Sequence, residues 1–345
     1  MDSLLISSSV EPSEGKRVEE KRAHRVVAIE EHYYDPQVSS LFQGIDARTG
    51  RRLVDKLEEL GQGRLREMDE AGIDVQVLSH GAPATQKLDA ETAVRVAASA
   101  NDRLFEVVRS KPDRFAAFAM LPTADPWAAA EELERAVNEL GFKGAMIHGP
   151  TNGVFFDDRR FWPIFERAQA LSVPLYLHPA NPQPSVVEAY YKEYADDFPS
   201  LLNAGCGFTV ETAVAGIRLV LSGVFDRYPD VDVILGHLGE AIPFLLWRIN
   251  DALSRPGNAP VAFRDTFCSR FYITTSGFFS DPALLCCIQE MGADRILFSI
   301  DYPFASNAAG TSWMRNLSLN ERDKAKILHA NAEAVLDLSP RTGRG

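Results

Sequence analysis

Basic residues are in short supply in this chain. Lys and Arg number 36 against 48 Asp and Glu in 345 residues, a net charge of −12. Gripping a nucleic-acid backbone takes clustered Lys and Arg, so this balance excludes a general nucleic-acid binder. It does not exclude an anionic small substrate, because a metal in a pocket sets its own local field. Cysteine is sparse too. Cys206, Cys268, Cys286 and Cys287 show no C-x-x-C spacing. The adjacent Cys286 and Cys287 cannot both face one partner from a helix, so reduced thiols in a cytoplasmic protein are expected. No apolar run reaches the length of a membrane span, and Leu4-Leu5-Ile6 is too short for the apolar part of a signal, so no membrane partner is expected. There is no Gly-rich turn after the first strand-like run. Glu30-Glu31-His32 stands there instead, which disfavours an open, doubly wound dinucleotide-binding sheet.

What is present is alternation. Residues 1–24 read as a flexible polar extension, and residues 25–345 as one domain in which apolar runs alternate with segments of helical period. Strands are expected at Val26–Glu30, Val75–Ser79, Phe115–Leu121, Gly144–His148, at runs ending on His178 and His237, at Tyr272–Thr275, and at a run ending on Asp301. Helical sequence lies between them, for example 51–71, 91–110, 128–140 and 161–171. Eight strands in phase with helices predict a (β/α)8 TIM barrel, since such crossovers are right-handed and close on themselves. The Pro- and Tyr-rich stretch Pro179–Gly205 is expected to cover the mouth.

Several of these runs end on residues able to bind a metal. Glu30 and His32 follow Val26-Val27-Ala28-Ile29, His178 follows Val173-Pro174-Leu175-Tyr176-Leu177, and Asp301 follows Ile296-Leu297-Phe298-Ser299-Ile300. Barrels keep their chemistry at the carboxyl ends of the strands, so these side chains are expected to meet. Glu30 and His32, two apart, share a strand face, with Glu31 turned toward the helix layer or solvent. Two imidazoles and two carboxylates suit one divalent ion of the zinc or manganese type. Each residue also has an ordinary role: a lone strand-end His is commonly a hydrogen-bonded structural residue, and Asp301 in that position can cap a helix. The convergence of four carries the reading. His237, closing Val231–Gly236, is followed three residues later by Glu240, placed to accept its N–H and fix its tautomer. Arg248 lies two turns further on, within reach of a substrate carboxylate or of a salt-bridge partner. His80 and His148, which end the second and fourth strands, are candidates to line the pocket.

Three stretches carry a resemblance: Ala28-Ile29-Glu30-Glu31-His32, Ile234-Leu235-Gly236-His237-Leu238-Gly239-Glu240 with Trp247-Arg248-Ile249, and Gly292-Ala293-Asp294-Arg295-Ile296-Leu297-Phe298-Ser299-Ile300-Asp301-Tyr302-Pro303-Phe304. With Val173–Pro179, Glu211-Thr212-Ala213 and Ile273–Gly277, the chain resembles the amidohydrolase superfamily in its mononuclear decarboxylase branch, γ-resorcylate decarboxylases above all and aminocarboxymuconate-semialdehyde decarboxylase more distantly. The resemblance implies one divalent ion (Zn2+, Mn2+ or Mg2+) held by Glu30, His32, His178 and Asp301, and no organic cofactor. His148 stands where binuclear relatives carry a modified Lys, which favours a single metal. It implies an ortho-hydroxybenzoate substrate and loss of carbon dioxide after ring protonation by Asp301, with His237 and Glu240 alongside. Phe304 would offer an apolar wall, and the assembly would be a homodimer or homotetramer. Departures fall in the pocket: Cys206 stands in place of an aromatic residue, His148 in place of an amide, and the Pro179–Gly205 loop differs. A hydrolase or hydratase acting on an ester, lactone or amide through the same ion is the alternative. A catalytically silent binding protein on this fold is a third reading, but it would be expected to lack a ligand, and none is missing.

Overall fold

The computed structural model describes residues 24–47 and 50–338. The expected N-terminal extension therefore lies outside the described residues except for His24, whose Nε2 meets Glu321 at 2.8 Å. Eight strand positions alternate with helices: β1 (Val27–Tyr33), β2 (Val75–His80), β3 (Phe115–Ala117, resumed after Phe118 by Ala119–Met120), β4 (Ala145–His148), β5 (Leu175–His178), β6 (Val233–Leu235), β7 (Phe271–Thr274) and β8 (Ile296–Leu297). The helices after them are α1 (Gln62–Ala71), α2 (Ala90–Ser110), α3 (Pro126–Asn138), α4 (Trp162–Leu171), α5 (Gly207–Leu221), α6 (Ile242–Leu253), α7 (Asp281–Met291) and α8 (Asn307–Asn316). Helix starts follow local chemistry. The Asp89 carboxylate accepts from Thr92 N, and Asp125 caps α3 with Pro126 in its first turn. Helix α8 and a helix at Phe263–Arg270 were not expected, and the helical sequence over 51–71 divides at Gly61 into Arg51–Glu58 and α1.

All neighbouring strands pair in parallel, as two sheets of order β1-β2-β3 and β3-β4-β5-β6-β7-β8, with β3 changing partner at Phe118. Phe118 N donates to Leu78 O, and Ala119 N donates to Gly144 O. The last seam runs between β1 and the segment after β8, where Asp301 N donates to Glu30 O at 3.0 Å and His32 N to Tyr302 O at 2.7 Å. Together these bonds complete the (β/α)8 circuit. Alternate strand residues fill the interior: Val27, Ile29, Val75, Val77, Ala116, Phe118, Met146, Tyr176, Ile234 and Leu297, with Ala332 and Leu336 of the last helical stretch packed against them. The opposite faces join the helices in a larger cluster that includes Ala28, Leu78, Ile147, Leu235 and Ile300.

One irregularity decides the site. Val27 and Ile29 point inward, so strict alternation would send Glu31 inward and Glu30 outward. The pairing of β1 with β2 shifts register between Ala28 and Glu31. Such a bulge reverses the phase of the residues after it, and the inward side chains become Glu30 and His32. Strand β1 also runs on to Tyr33, so both ligand candidates lie within the strand rather than closing it.

One apolar stretch is longer than the sequence reading anticipates. Pro199–Leu221 is apolar and long enough by composition to cross a membrane. A turn at 203–206 divides it, however, and the 15 residues of α5 span only about 22 Å, short of a bilayer core.

A candidate metal centre at the barrel mouth

Glu30, His32, His178 and Asp301 each offer one ligand atom, and these four atoms lie within 4.8 Å of one another. They come from β1, the end of β5 and the segment after β8. His178 Nε2 is 3.3 Å from Glu30 Oε1, and His32 Nε2 is 3.3 Å from Asp301 Oδ1. Glu30 Oε1 and His32 Nε2 are buried and make no hydrogen bond. Leaving two such atoms unpaired costs several kcal/mol together, whereas a cation between them would satisfy both. The donor set is mixed nitrogen and oxygen, as the zinc–manganese class requires.

Each ligand is aimed by a partner behind it. Glu30 Oε2 accepts from the Tyr176 and Ser276 hydroxyls and from Thr274 Oγ1 at 3.3 Å, leaving Oε1 for the cluster. His32 Nδ1 pairs with Ser79 Oγ at 3.2 Å, and His178 Nδ1 donates to Pro179 O at 2.7 Å, so both rings turn Nε2 inward. Tyr176, Thr274 and Ser276 were not singled out in the sequence. Tyr176 carried a usable signal, since it sits two residues before His178 and so shares its face. Burial disfavours the charge on Glu30, but the neighbouring His237, His178 and His32 rings outweigh it and hold the carboxyl well below the usual range. Asp301 is likewise lowered, with burial opposed by His237 and His32.

Glu31 turns outward, yet it is fully buried rather than solvated. Its carboxylate accepts from Ile300 N at 2.9 Å and Tyr302 N at 3.2 Å, the two amides flanking Asp301. Asp301 itself has φ 71°, a left-handed backbone that costs a non-Gly residue about 1–2 kcal/mol. Glu31 thus clamps the strained segment that presents Asp301. Arg64 braces this from below, donating to His32 O at 2.8 Å and to Gln76 Oε1 at 2.7 Å, while Gln76 reaches Glu31. Burial pushes the Glu31 carboxyl up to about 8, against the pull of the Ile300 amide and Arg64.

His237 lies two residues past β6 and opens a run of five left-handed residues, His237 to Ala241. The run returns Glu240 to it, with His237 Nδ1 2.7 Å from Glu240 Oε1. His237 Nε2 then faces the cluster, 3.6 Å from Glu30 Oε1 and 3.7 Å from Asp301 Oδ2. Burial opposes the imidazolium, but Glu240 and Glu30 raise its pKa well above the ordinary value. Sustained left-handed backbone stores strain, as reactive sites often do. Gly236 permits the approach: a Cβ there would lie 2.9 Å from Glu30 Oε2 and 3.4 Å from the Tyr176 hydroxyl. Gly236→Ala is therefore expected to displace the Glu30 carboxylate and lower kcat/KM by about tenfold or more with little change in melting temperature, read by steady-state kinetics beside a thermal melt.

The pocket candidates divide. Phe304 is at the mouth, its ring 5.8 Å from that of His32 and half-exposed. Cys206 directly precedes α5 and is not among the four clustered ligand candidates. His148 is only 1% exposed and both its ring nitrogens are engaged, so it offers nothing to a substrate. His80 is corrected as well: Ser79 takes the inward position on β2, and His80 packs outside the barrel between Tyr33 and Tyr34. It lines a separate cavity of about 260 Å3 with Tyr34, Phe42 and Val54. Arg248 is not brought to the site. Ile242, Leu246, Ile249 and Leu253 take the inner face of α6, which leaves Arg248 exposed beside Trp247.

The fold and this centre define a class. The chain matches the amidohydrolase family over residues 23–338 and belongs to it. It is 40% identical over 326 residues to γ-resorcylate decarboxylase from Polaromonas sp. (strain JS666), across 91% of this chain and 98% of that one. A crystal structure of 2,6-dihydroxybenzoate decarboxylase complexed with 2,6-dihydroxybenzoate matches it with a TM-score of 0.83 at 39% identity, covering 91% of this chain and 99% of the other. A dihydroxybenzoic acid decarboxylase from Polaromonas sp. JS666, with bound manganese and the inhibitor 2-nitroresorcinol, matches with a TM-score of 0.83 at 40% identity, covering 91% and 97%.

Proposed function

We propose that this chain is a metal-dependent, non-oxidative carboxy-lyase that decarboxylates an ortho-hydroxybenzoate, with 2,6-dihydroxybenzoate the first substrate to test. The observation that carries the reading is the convergence of Glu30, His32, His178 and Asp301 around two orphaned atoms, in a chain 40% identical to a decarboxylase along nearly its whole length. Glu30, His32, His178 and Asp301 would hold one divalent ion, manganese being the ion in one matching structure. When bound, that ion supplies charge stabilisation for a carboxylate and a neighbouring phenolic oxygen.

The residues divide the remaining work. Glu30 and His32 side chains are sealed from solvent, whereas Asp301 and His237 keep 16% and 20% exposure, so these two face the space where a substrate sits. Asp301, ionised at rest, takes a proton from the His237 imidazolium and passes it to the ring carbon bearing the carboxylate. The bond from that carbon to the carboxyl carbon then breaks, its electron pair restores the aromatic ring, and carbon dioxide leaves. The His237–Glu240 pair, 3.7 Å from Asp301 through His237 Nε2, orients that carboxyl and returns its proton. Phe304 packs on the ring. The exposed Phe244 and Trp247 of α6, at 79% and 68%, support assembly into a homodimer or homotetramer.

The test is incubation of the Mn2+-loaded protein with 2,6-dihydroxybenzoate. Carbon dioxide and 1,3-dihydroxybenzene are expected in equal amounts. Hydrolysis of esters or lactones, with no carbon dioxide from any ortho-hydroxybenzoate, would instead establish the hydrolase reading.

A further inference from the structure

We propose that His148 is a positioning residue that fixes the ring and tautomer of His178, an inference that rests on His178 being a metal ligand. The two residues end neighbouring strands and stand opposite each other in the β4–β5 register. His148 Nε2–H donates to His80 O at 2.8 Å. That bond leaves His148 Nδ1 with a lone pair, and it lies 2.9 Å from His178 Nδ1. A hydrogen on both facing nitrogens would set two N–H groups against each other. The network therefore assigns the hydrogen to His178 Nδ1, shared between His148 Nδ1 and Pro179 O. His178 Nε2 keeps its lone pair and points at Glu30 Oε1, 3.3 Å away.

The two acceptors are not equivalent. Pro179 O belongs to the next residue of the same chain segment and moves with it. His148 is anchored on another strand, by His80 O and by its own N–H to Gln86 Oε1 at 3.3 Å, so it ties the His178 ring to the barrel. The ring is buried and packs edge to face on that of His178, centroids 4.7 Å apart. Partners of this kind behind a metal-bound imidazole are worth about 10–100-fold in metal affinity.

The experiment compares His148→Leu, which cannot accept, with His148→Asn, whose side-chain oxygen falls near the position of Nδ1. Mn2+ dissociation constants are measured on the metal-stripped full chain from the free-ion paramagnetic resonance signal, with a thermal melt of each variant. The Leu variant is expected to bind Mn2+ about 10–100-fold more weakly, and the Asn variant to recover most of that loss. Equal affinity in the folded Leu variant, or Asn as weak as Leu, overturns the role. Should the Leu variant not fold, imidazole nitrogen–proton NMR of the metal-free wild type decides: His178 protonated at Nδ1 and His148 at Nε2 supports the assignment, and the reverse refutes it. A wild-type chain that binds no Mn2+ removes the metal centre itself, a distinct failure.

Discussion

Asp301→Asn is expected to lower turnover of 2,6-dihydroxybenzoate by about 10³-fold while leaving the protein folded. Asn matches Asp in shape and tolerates the left-handed backbone that Asp301 adopts at φ 71°. The amides clamped by Glu31 on either side are unaffected, so the segment keeps its path. What is lost is a titratable oxygen 3.7 Å from His237 Nε2 and facing the substrate space. Part of the deficit will come from weaker metal binding, so rates must be taken at saturating Mn2+, with a thermal melt beside them. An Asn variant that turns over substrate at the wild-type rate would contradict the role given to Asp301.

Glu30→Gln is expected to be as damaging for a different reason. One Glu30 oxygen already serves three hydroxyl donors, from Tyr176, Thr274 and Ser276. The amide oxygen of Gln would stay with them and turn its NH2 toward His32, His178 and Asp301. A donor would then occupy the place of a ligand in a buried site, and affinity for Mn2+ should fall by at least about 100-fold. Wild-type protein stripped by a chelator should lose decarboxylation and regain it on adding Mn2+. Full activity in the Gln variant or in the stripped enzyme would mean that Glu30 holds no essential metal.

Much of this site is legible in the sequence because ligands at the ends of apolar runs announce themselves. His178 and Asp301 follow five-residue apolar stretches, and the step from His237 to Glu240 is short enough to read as a pair. The misreadings arise where the phase of a strand or helix decides. His80 ends β2 as His178 ends β5, but Ser79 holds the inward position and His80 falls outside the barrel. Arg248 shares a helix with inward residues but sits a third of a turn away from them. The bulge in β1 cannot be read from Val27-Ala28-Ile29-Glu30, because register is set by the neighbouring strand. Glu31 was expected to face helices or water. Its true partners are amides some 270 residues away, and no local pattern signals them. His148 reads as a pocket residue from its place at a strand end, but His178 and His80 engage both its ring nitrogens.

Strands far apart in sequence bring four candidate ligands together, as if for one cation. Crystals grown with Mn2+ and measured at the manganese absorption edge test it directly. A single anomalous peak is expected within about 2.3 Å of Glu30 Oε1, His32 Nε2, His178 Nε2 and an Asp301 oxygen. No peak among these four side chains, or a peak held by other residues, would contradict it.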